Sequence, residues 1–368
     1  MNRVVALLLA CSGFGYTADP PALGDWPLWR GNANSDGTSE VELPKELNER
    51  WVYKCRDSVD GAAAVVGQVC YVASTDKHLH AIDLAKGKEL WKKKLGIMKA
   101  SPSYREGKLV VGNIEGKVFC LDAKTGDQLW AFDNESGEIS SGCSFHGDST
   151  IVAAQGMPVT CLNAKGEKVW AFEIDGGSNG TPTVVGDICF ASGCDSHFHA
   201  IDAKTGKELW KLELPGQAAA TPAIRGSTAY IGTVTNQVVA IDLKEKTKLW
   251  QFEAPRKSQP FYSSCAVTDK LVLAGSRDKK LYALDAKTGE EVWSAVTEGS
   301  IDASPVIAGS KVYVGCQSLT GEFYVFDLAT GKSIQELTLD SAVTGSVAVT
   351  ADGILVGTEK GSVYHFGK

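Results

Sequence analysis

Several patterns that would place this chain in a common functional class are missing from it. None of its 10 cysteines forms a Cys-X-X-Cys pair and no two are adjacent, so the spacing indicates neither a thiolate zinc site nor a redox dithiol. No apolar run reaches membrane-spanning length. With 37 basic and 44 acidic residues, the net charge is −7. Phosphate backbones are bound by basic surfaces, so no nucleic-acid partner is predicted.

What the chain does have is a repeat. An aspartate or asparagine is followed eight residues later, or seven in one unit, by tryptophan, as in Asp122 to Trp130 (DAKTGDQLW). From Trp51, successive steps to the following tryptophans and finally to Gln335 are 40, 39, 40, 40, 40, 43 and 42 residues. The tryptophans are Trp51, Trp91, Trp130, Trp170, Trp210, Trp250 and Trp293. A fixed period near 40 residues with short strands inside it predicts a β-propeller.

One repeat contains four strands. Ser101–Pro102 opens the first, KLVVGN (108–113) and KVFCLD (117–122) are the second and third, and the segment at Trp130 is the fourth. Turns about every ten residues exclude long helices. We predict that the tryptophans dock each blade against the next by burying their rings.

Eight first strands are predicted. They begin near Ala62, Ser101, Gly142, Thr181, Thr221, Ser264, Ser304 and Ser346. The eighth unit stops after its third strand, while LNERWVYKC (47–55) is a tryptophan strand with no blade before it. Because an unpaired edge is unfavourable, we predict an all-β, eight-bladed propeller over 47–368 whose ring is closed by pairing of about 49–55 with 362–367.

The N-terminus reads as an export signal over 1–18, followed by a leader segment over 19–46. One positive charge precedes a short apolar run, and Leu8-Leu9-Ala10-Cys11 resembles a lipobox, which would place a lipid on Cys11. Ordinary cleavage near Ala18 is the alternative. We therefore expect a periplasmic or secreted protein, tethered by a lipid if Cys11 is modified.

The repeat resembles a known superfamily. The pattern G-x-(V/L)-(Y/F)-x-L-D-A-K-T-G-x-x-(L/V)-W, with DAKTG unbroken at 122–126, 202–206 and 285–289, is similar to the tryptophan-docking repeats of the pyrroloquinoline-quinone-type propellers. The leader DWPLWRG (25–31) resembles an element of exported bacterial members. The resemblance implies either a BamB-like assembly factor of the cell envelope or a quinoprotein dehydrogenase.

The residues favour the first branch. The resemblance to the dehydrogenases implies a disulfide between adjacent cysteines, a calcium ion held by Glu, Asn and Asp, and an Asp base. The closest cysteines here, Cys189 and Cys194, are five apart, and the inner strands carry Ala, Ser, Thr and Pro. We therefore predict no catalytic residue and no cofactor, with a small quinoprotein dehydrogenase as the alternative.

No metal site is predicted either. His78 and His80 share one strand face, and His197 and His199 repeat them three blades later, too far away to share an ion. His80 and His199 align with packing residues. Asn32 to Gly37 imitates the start of an EF-hand loop, but the twelfth position is Leu43 in place of Glu, which favours a polar turn. Most cysteines align with small residues and are predicted to be buried apolar substitutes.

One connection is marked as a binding surface. The span from Trp250 to Cys265 is 15 residues, against 11 to 13 in corresponding spans, and it groups Arg256, Lys257, Phe261 and Tyr262. Arg and aromatic residues dominate protein interfaces. A second insertion, QSLTGEF (317–323), extends a hairpin of blade seven. We predict a monomeric, non-enzymatic scaffold that binds a protein partner at the cell envelope.

Overall fold

The computed structural model describes residues 21–134, 137–255 and 259–368. Within these ranges the chain forms strands and turns and no helix, so the described part contains no helix that is long and apolar enough to cross a membrane. The strands form eight sheets, seven of four strands and one of five. The fold is therefore the predicted all-β, eight-bladed propeller.

Within each blade the strands run antiparallel, and the first strand in the chain is the innermost in seven blades. The strands that precede and compose blades one to four are β1 Thr38–Ser39, β2 Asn48–Lys54, β3 Ala64–Val66, β4 Val69–Ala73, β5 His78–Asp83, β6 Lys88–Lys94, β7 Ser103–Arg105, β8 Lys108–Gly112, β9 Lys117–Asp122, β10 Gln128–Asp133, β11 Cys143–His146, β12 Ser149–Ala154, β13 Met157–Leu162, β14 Lys168–Phe172, β15 Thr183–Val185, β16 Ile188–Ser192, β17 His197–Asp202 and β18 Glu208–Glu213.

Blades five to eight continue the same order. Their strands are β19 Ala223–Arg225, β20 Thr228–Gly232, β21 Gln237–Asp242, β22 Thr247–Glu253, β23 Ala266–Val267, β24 Leu271–Ser276, β25 Lys280–Asp285, β26 Glu291–Val296, β27 Val306–Ala308, β28 Lys311–Gly315, β29 Glu322–Asp327, β30 Ser333–Thr338, β31 Ala348–Val349, β32 Gly353–Gly357 and β33 Ser362–Gly367.

The N-terminal strand completes the last blade. Strand β2 pairs antiparallel with β33, Asn48 lying opposite Gly367 and Lys54 opposite Ser362. The sheet order of blade eight is β2-β33-β32-β31. The predicted ring closure is confirmed, and blade eight has no unpaired third strand.

A β-bulge directs each docking tryptophan toward the next blade. In β10, for example, the register skips Leu129, so Trp130 lies opposite Cys120 and Leu129 is left half exposed. The same one-residue shift precedes the other tryptophans and Gln335. An inserted residue bends the strand and re-aims the side chain that follows.

The ring then packs on the turn between the third and fourth strands of the neighbouring blade. Trp91 donates from Nε1 to the carbonyl oxygen of Ala123 at 3.2 Å. Gly126 has φ 73°, and a Cβ on it would lie 2.8 Å from the Trp91 ring, so this turn needs glycine for both reasons. Trp51, Trp170, Trp250 and Trp293 make the equivalent hydrogen bond at 2.8 to 3.1 Å.

Gln335 replaces the tryptophan where the next blade has no such turn. Blade eight is interrupted there, since its third strand ends the chain and its fourth strand comes from the N-terminus. The Gln335 side chain instead accepts from the Leu47 amide and donates to the Leu47 carbonyl oxygen, both at 2.9 Å. An amide side chain can meet both backbone groups of an extended residue.

Hydroxyl side chains join the inner strands around the channel. The amides of Thr181, Thr221 and Ser264 each donate, at 2.9 Å, to the hydroxyl oxygen at the equivalent position of the following blade. Ala62 and Gly142 lack a hydroxyl but donate in the same way to Ser101 and Thr181. The Ser/Thr-Pro motifs therefore satisfy backbone groups that would otherwise be buried without partners.

The leader segment lies against these inner strands. Trp26 forms a bridge with Val65 of blade one, and β1 adds a parallel fifth strand to β27 of blade seven. Leader carbonyl oxygens also accept from backbone amides of Tyr104, Ile224 and Val267, in blades two, five and six. The leader thus covers free edges of the innermost strands over much of the ring.

Arg30 anchors the leader inside the channel. Its guanidinium is fully buried and donates to the carbonyl oxygens of Pro305 (2.5 Å) and Cys265 (3.2 Å) and to the Ser346 hydroxyl (2.9 Å). Burial lowers the pKa of Arg30 to about 10, which leaves it charged at neutral pH. One cation therefore links blades six, seven and eight.

The cysteines from Cys55 to Cys316 have free thiols. No disulfide joins the nine cysteines of the described residues, and all of these except Cys194 are buried. Burial raises the pKa of the Cys143 and Cys265 thiols to about 12. The prediction of buried apolar substitutes is confirmed for most of them.

Removing a docking ring should destabilise the protein through a cavity between blades. For Trp170→Ala we expect a loss of about 3–5 kcal/mol in the free energy of unfolding. Val169→Ala, one residue earlier on the same strand and half exposed, is the matched control and should cost less than about 0.5 kcal/mol. Urea unfolding followed by tryptophan fluorescence and circular dichroism measures both, and equal costs would contradict the docking role.

His365 should make ring closure sensitive to acid. It is buried opposite Trp51, and neither ring nitrogen has a hydrogen-bond partner. Burial lowers the pKa of His365 below 6.5. The Asp352 carboxylate, at 3.8 Å, opposes this shift, and Arg50 reinforces it. The unfolded chain therefore binds the proton more readily, and this stability, present above about pH 6.5, is lost as the pH falls.

His365→Ala restores the small residue found at this position in blade one, Ala81. We expect the free energy of unfolding to fall less between about pH 8 and about pH 5 in this variant than in the unmodified protein. Parallel urea titrations at the two pH values measure the difference. An identical pH dependence in the two proteins would show that His365 titrates alike in both states.

Candidate functional site

The two ends of the ring are chemically different. In an antiparallel blade, the turns between strands one and two and between strands three and four share one end, while the two–three turns and the connections between blades share the other. The leader contacts the first end, since Asp25 accepts from the Gly67 amide and Glu42 accepts from the Ser310 amide. We call the other end the open end.

The long connection after Trp250 reaches the open end, but its residues have different environments. Arg256 and Lys257 lie outside the described residues. Phe261 is fully buried, its ring lies 5.9 Å from that of Tyr282, and its amide donates to the Thr233 carbonyl oxygen. The expectation that Phe261 offers its ring to a partner is therefore wrong, because the ring fills the space between blades five and six.

Tyr262 remains at the surface and stacks on an arginine. Its ring lies 4.3 Å from the Arg277 guanidinium carbon, and Arg277 binds both carboxylate oxygens of Asp302, at 2.8 and 2.6 Å. The bond to Asp302 raises the pKa of Arg277, against a smaller effect of burial. Cation–π stacking together with a bidentate ion pair holds the guanidinium in one orientation.

The insertion in blade seven borders this stack. Gln317 donates to Asp302 at 3.0 Å, and its backbone bridges to Ser300 in the connection from blade six. Two residues on, Leu319 is completely exposed. We call Tyr262, Arg277, Asp302, Gln317 and Leu319 the open-end patch. It combines an aromatic ring, an oriented arginine and an apolar side chain, as protein-binding hot spots do.

Sequence reasoning found part of the open-end patch. It selected Tyr262 and marked the insertion that carries Leu319. It missed Arg277, which lies in the two–three turn of blade six. The sequence could have identified Arg277, because two–three turns lie at the same end of the ring as the connections between blades.

Two other acidic groups on the open end are paired with lysines. Glu138 binds Lys99 at 2.9 Å, and Asp340 binds Lys54 at 2.8 Å. Several donors, Lys54 among them, outweigh the effect of burial and lower the pKa of Asp340. Leu319 and Val296 are exposed apolar side chains on the same end.

A cleft of about 590 Å³ opens beside blades three and four. It is lined by Phe172, Asp175, Asp195, His199, Glu208 and other residues of this region. Both nitrogens of His199 contact carboxylate oxygens, Nε2 that of Asp195 and Nδ1 that of Glu208, each at 2.8 Å. The imidazole therefore bridges two acidic side chains at the edge of the cleft.

The paired histidines and the loop that imitates an EF-hand have defined hydrogen-bond partners. His80 and His199 are buried, but both contact carboxylate oxygens and are not ordinary packing residues, while His78 and His197 are partly exposed. In the loop that imitates an EF-hand, Asn32 donates to Asp36 at 2.7 Å, and Asp36 pairs with Arg225 at 3.2 Å. The described loop is a hydrogen-bonded polar turn.

The channel does not fit pyrroloquinoline quinone with calcium. The inner strands of blades six, seven and eight surround the buried Arg30 guanidinium, which needs acceptors and repels a metal ion. The inner-strand hydroxyls are used between blades, and Asp302 is bound to Arg277. These residues do not supply the carboxylates that calcium requires, so we derive no chemistry through the quinone.

Docking tryptophans, the DAKTG turns and closure by an N-terminal strand define the class: this is an eight-bladed propeller of the pyrroloquinoline-quinone-like repeat type. The family model described as outer membrane protein assembly factor BamB matches residues 27–157 and 156–368. The chain belongs to that family.

Similar proteins agree with this assignment. The outer membrane protein assembly factor BamB of Burkholderia pseudomallei (strain K96243) is 25% identical over 376 residues, covering 96% of this chain and 85% of that protein. The crystal structure of BamB from Moraxella catarrhalis superposes with a TM-score of 0.74 at 18% identity, covering 88% of this chain and 100% of that one. At 18% identity, the similarity to the Moraxella catarrhalis structure shows that the two proteins share a fold.

A shorter segment of this chain is similar to an enzyme. The 1-butanol dehydrogenase (cytochrome c) of Thauera butanivorans is 31% identical over 100 residues, which is 23% of this chain and 14% of the enzyme. So short a segment corresponds to two or three repeats, and repeats are shared across the whole superfamily.

Proposed function

We propose that this protein is a non-enzymatic scaffold of the cell envelope that binds a protein partner through the open-end patch. The observation that carries the proposal is the complete exposure of Leu319 next to the Tyr262–Arg277 stack. A fully exposed leucine at a hairpin tip is unfavourable in water and gains free energy when a partner covers it.

The geometry supports binding to a preformed surface. The Arg277 guanidinium is oriented by Asp302 and Tyr262 before any partner arrives, and Gln317 ties the hairpin base to the same carboxylate. Less side-chain entropy is then lost on association, which favours affinity. The leader covers strand edges at the opposite end, so the open end is the surface we assign to binding.

The family supports the kind of partner. Its members are described as outer membrane protein assembly factors, so we infer that the partner is a component of outer-membrane protein assembly. Export through residues 1–18, a periplasmic location, a lipid on Cys11 and a monomeric state belong to the same proposal. Cys11 and the export signal lie outside the described residues.

The patch can be tested by capture from solubilised envelope of the source organism. Leu319→Asp and the double change Tyr262→Ala/Arg277→Ala should each reduce capture of outer-membrane assembly proteins by about 30-fold or more, since hot-spot losses exceed about 2 kcal/mol. Quantitative mass spectrometry gives the readout. Melting temperatures should stay within a few degrees, because these side chains lie at the surface.

The matched control is Lys244→Ala/Glu245→Ala, in an exposed turn at the leader end. It should capture as much as the unmodified protein. Full capture by the patch variants would move the binding site elsewhere on the ring. Saturable binding of pyrroloquinoline quinone with calcium, accompanied by dye reduction with alcohols, would establish the enzymatic alternative and overturn the scaffold proposal.

A further inference from the structure

A thiol, a carboxylate and an imidazole converge where the ring closes. Cys55 follows β2, Asp76 lies in the turn between β4 and β5, and His80 lies in β5. One ligand atom from each lies within 4.8 Å of the other two. Cys55 is 6% exposed, and the side chains of Asp76 and His80 are each 3% exposed.

Hydrogen bonds determine which nitrogen of His80 carries the proton. The Tyr53 hydroxyl lies 2.8 Å from Glu89 and 3.0 Å from His80 Nδ1. Burial raises the pKa of Glu89, but the hydrogen bonds from Tyr53 and Lys92 have a larger, opposite effect, and the net shift is downward. The carboxylate is therefore ionised and can only accept hydrogen bonds. Tyr53 therefore donates to Glu89, and its oxygen accepts from Nδ1–H of His80.

The other nitrogen then faces a second acceptor. Nε2 lies 3.3 and 3.2 Å from the two Asp76 oxygens. Two carboxylate oxygens therefore face one imidazole nitrogen at nearly equal distances. A cation bound between the nitrogen lone pair and the carboxylate would satisfy both groups.

We propose that Cys55, Asp76 and His80 bind one Zn²⁺ ion at the junction of blades eight and one. Thiolate, imidazole and carboxylate together suit zinc better than calcium or magnesium, which prefer oxygen ligands. With metal–ligand bonds of about 2.0–2.2 Å, nitrogen and oxygen ligands of a tetrahedral zinc ion lie about 3.3 Å apart. The His80–Asp76 separations already match this value.

The surroundings are those of a metal ligand set. The Glu89–Tyr53–His80 chain orients the imidazole through its second nitrogen, as outer-shell partners of zinc ligands do. Zinc binds the thiolate form of cysteine, so binding forms a sulfur–zinc bond and releases the thiol proton of Cys55 to solvent. Three protein ligands leave the fourth position for water.

Blade four contains the same arrangement without the thiol. Asp195, His199 and Glu208 repeat Asp76, His80 and Glu89, but Phe172 stands in the place of Tyr53 and Ile174 in the place of Cys55. There both imidazole nitrogens contact carboxylates directly at 2.8 Å. Because isoleucine offers no ligand atom, the site in blade four lacks the thiolate of the proposed zinc ligands.

A zinc ion at this site would stabilise the closed ring. Cys55 belongs to the N-terminal strand, while Asp76 and His80 belong to blade one. A shared ion would hold β2 against blade one in addition to its pairing with β33. This inference is independent of the proposed partner and patch, which lie across blades six and seven.

The test uses the full-length reduced protein in a Cys194→Ser background, because Cys194 is the partly exposed cysteine of the described residues. We expect one Zn²⁺ per chain in a chelator-competition titration, a higher melting temperature with zinc, and a thiolate-to-metal absorption band with Co²⁺. Cys55→Ile, which copies blade four, should weaken zinc binding more than about 100-fold and remove the band.

Asp195→Asn is the matched control in blade four and should leave zinc affinity and the cobalt spectrum unchanged. No stoichiometric zinc binding by the unmodified protein would overturn the proposal, as would equal affinity in Cys55→Ile. If Cys55→Ile fails to fold by circular dichroism, the cobalt spectrum of the Cys194→Ser protein decides, since a bound ion without a thiolate band excludes Cys55 as a ligand.

Discussion

Pairing of β2 with β33 is the interaction on which the rest of the structure depends. A propeller that is built from one chain must join its ends, and here the joint lies inside blade eight. Without β2, the edge of β33 would present unpaired backbone groups to solvent. The closure also explains Gln335, because no tight turn exists in blade eight for a tryptophan to cover, and the Leu47 backbone takes its place.

The same joint brings distant side chains together. Tyr53 and Cys55 arrive on the N-terminal strand and meet His80 and Asp76 of blade one, and Trp51 packs beside His365 near the end of the chain. The junction of blades three and four repeats this packing, with Phe172 of β14 in the place of Tyr53 and Ile174 in the place of Cys55. Of these two junctions, the joint is the one that brings a thiol to the imidazole.

The leader makes the ring asymmetric. A propeller has two ends, and the buried Arg30 with its acceptors in blades six, seven and eight ties residues 21–46 to one of them. Burying a guanidinium is costly unless its donors find acceptors, and here two carbonyl oxygens and the Ser346 hydroxyl accept from its terminal nitrogens. The loops of the open end then carry the side chains that remain available, among them Tyr262 and Leu319.

The sequence alone determined the architecture. A 40-residue period, four strands per unit and a tryptophan before each new blade leave few alternatives, since each unit can bury its apolar face only against a neighbour. The missing fourth strand at the C-terminus and the extra one at the N-terminus were both visible in the sequence. These features are local or periodic, and so they can be recognised without coordinates.

Tertiary structure decided which side chains are available. Phe261 and Tyr262 are adjacent in the sequence, yet one is buried against Tyr282 and the other stacks on Arg277, because the course of an irregular loop depends on the blades beneath it. Cys55 and His80 are 25 positions apart in the sequence and belong to different blades. Closure of the ring places the thiol beside the imidazole, because β2 then packs against blade one as β14 packs against blade four.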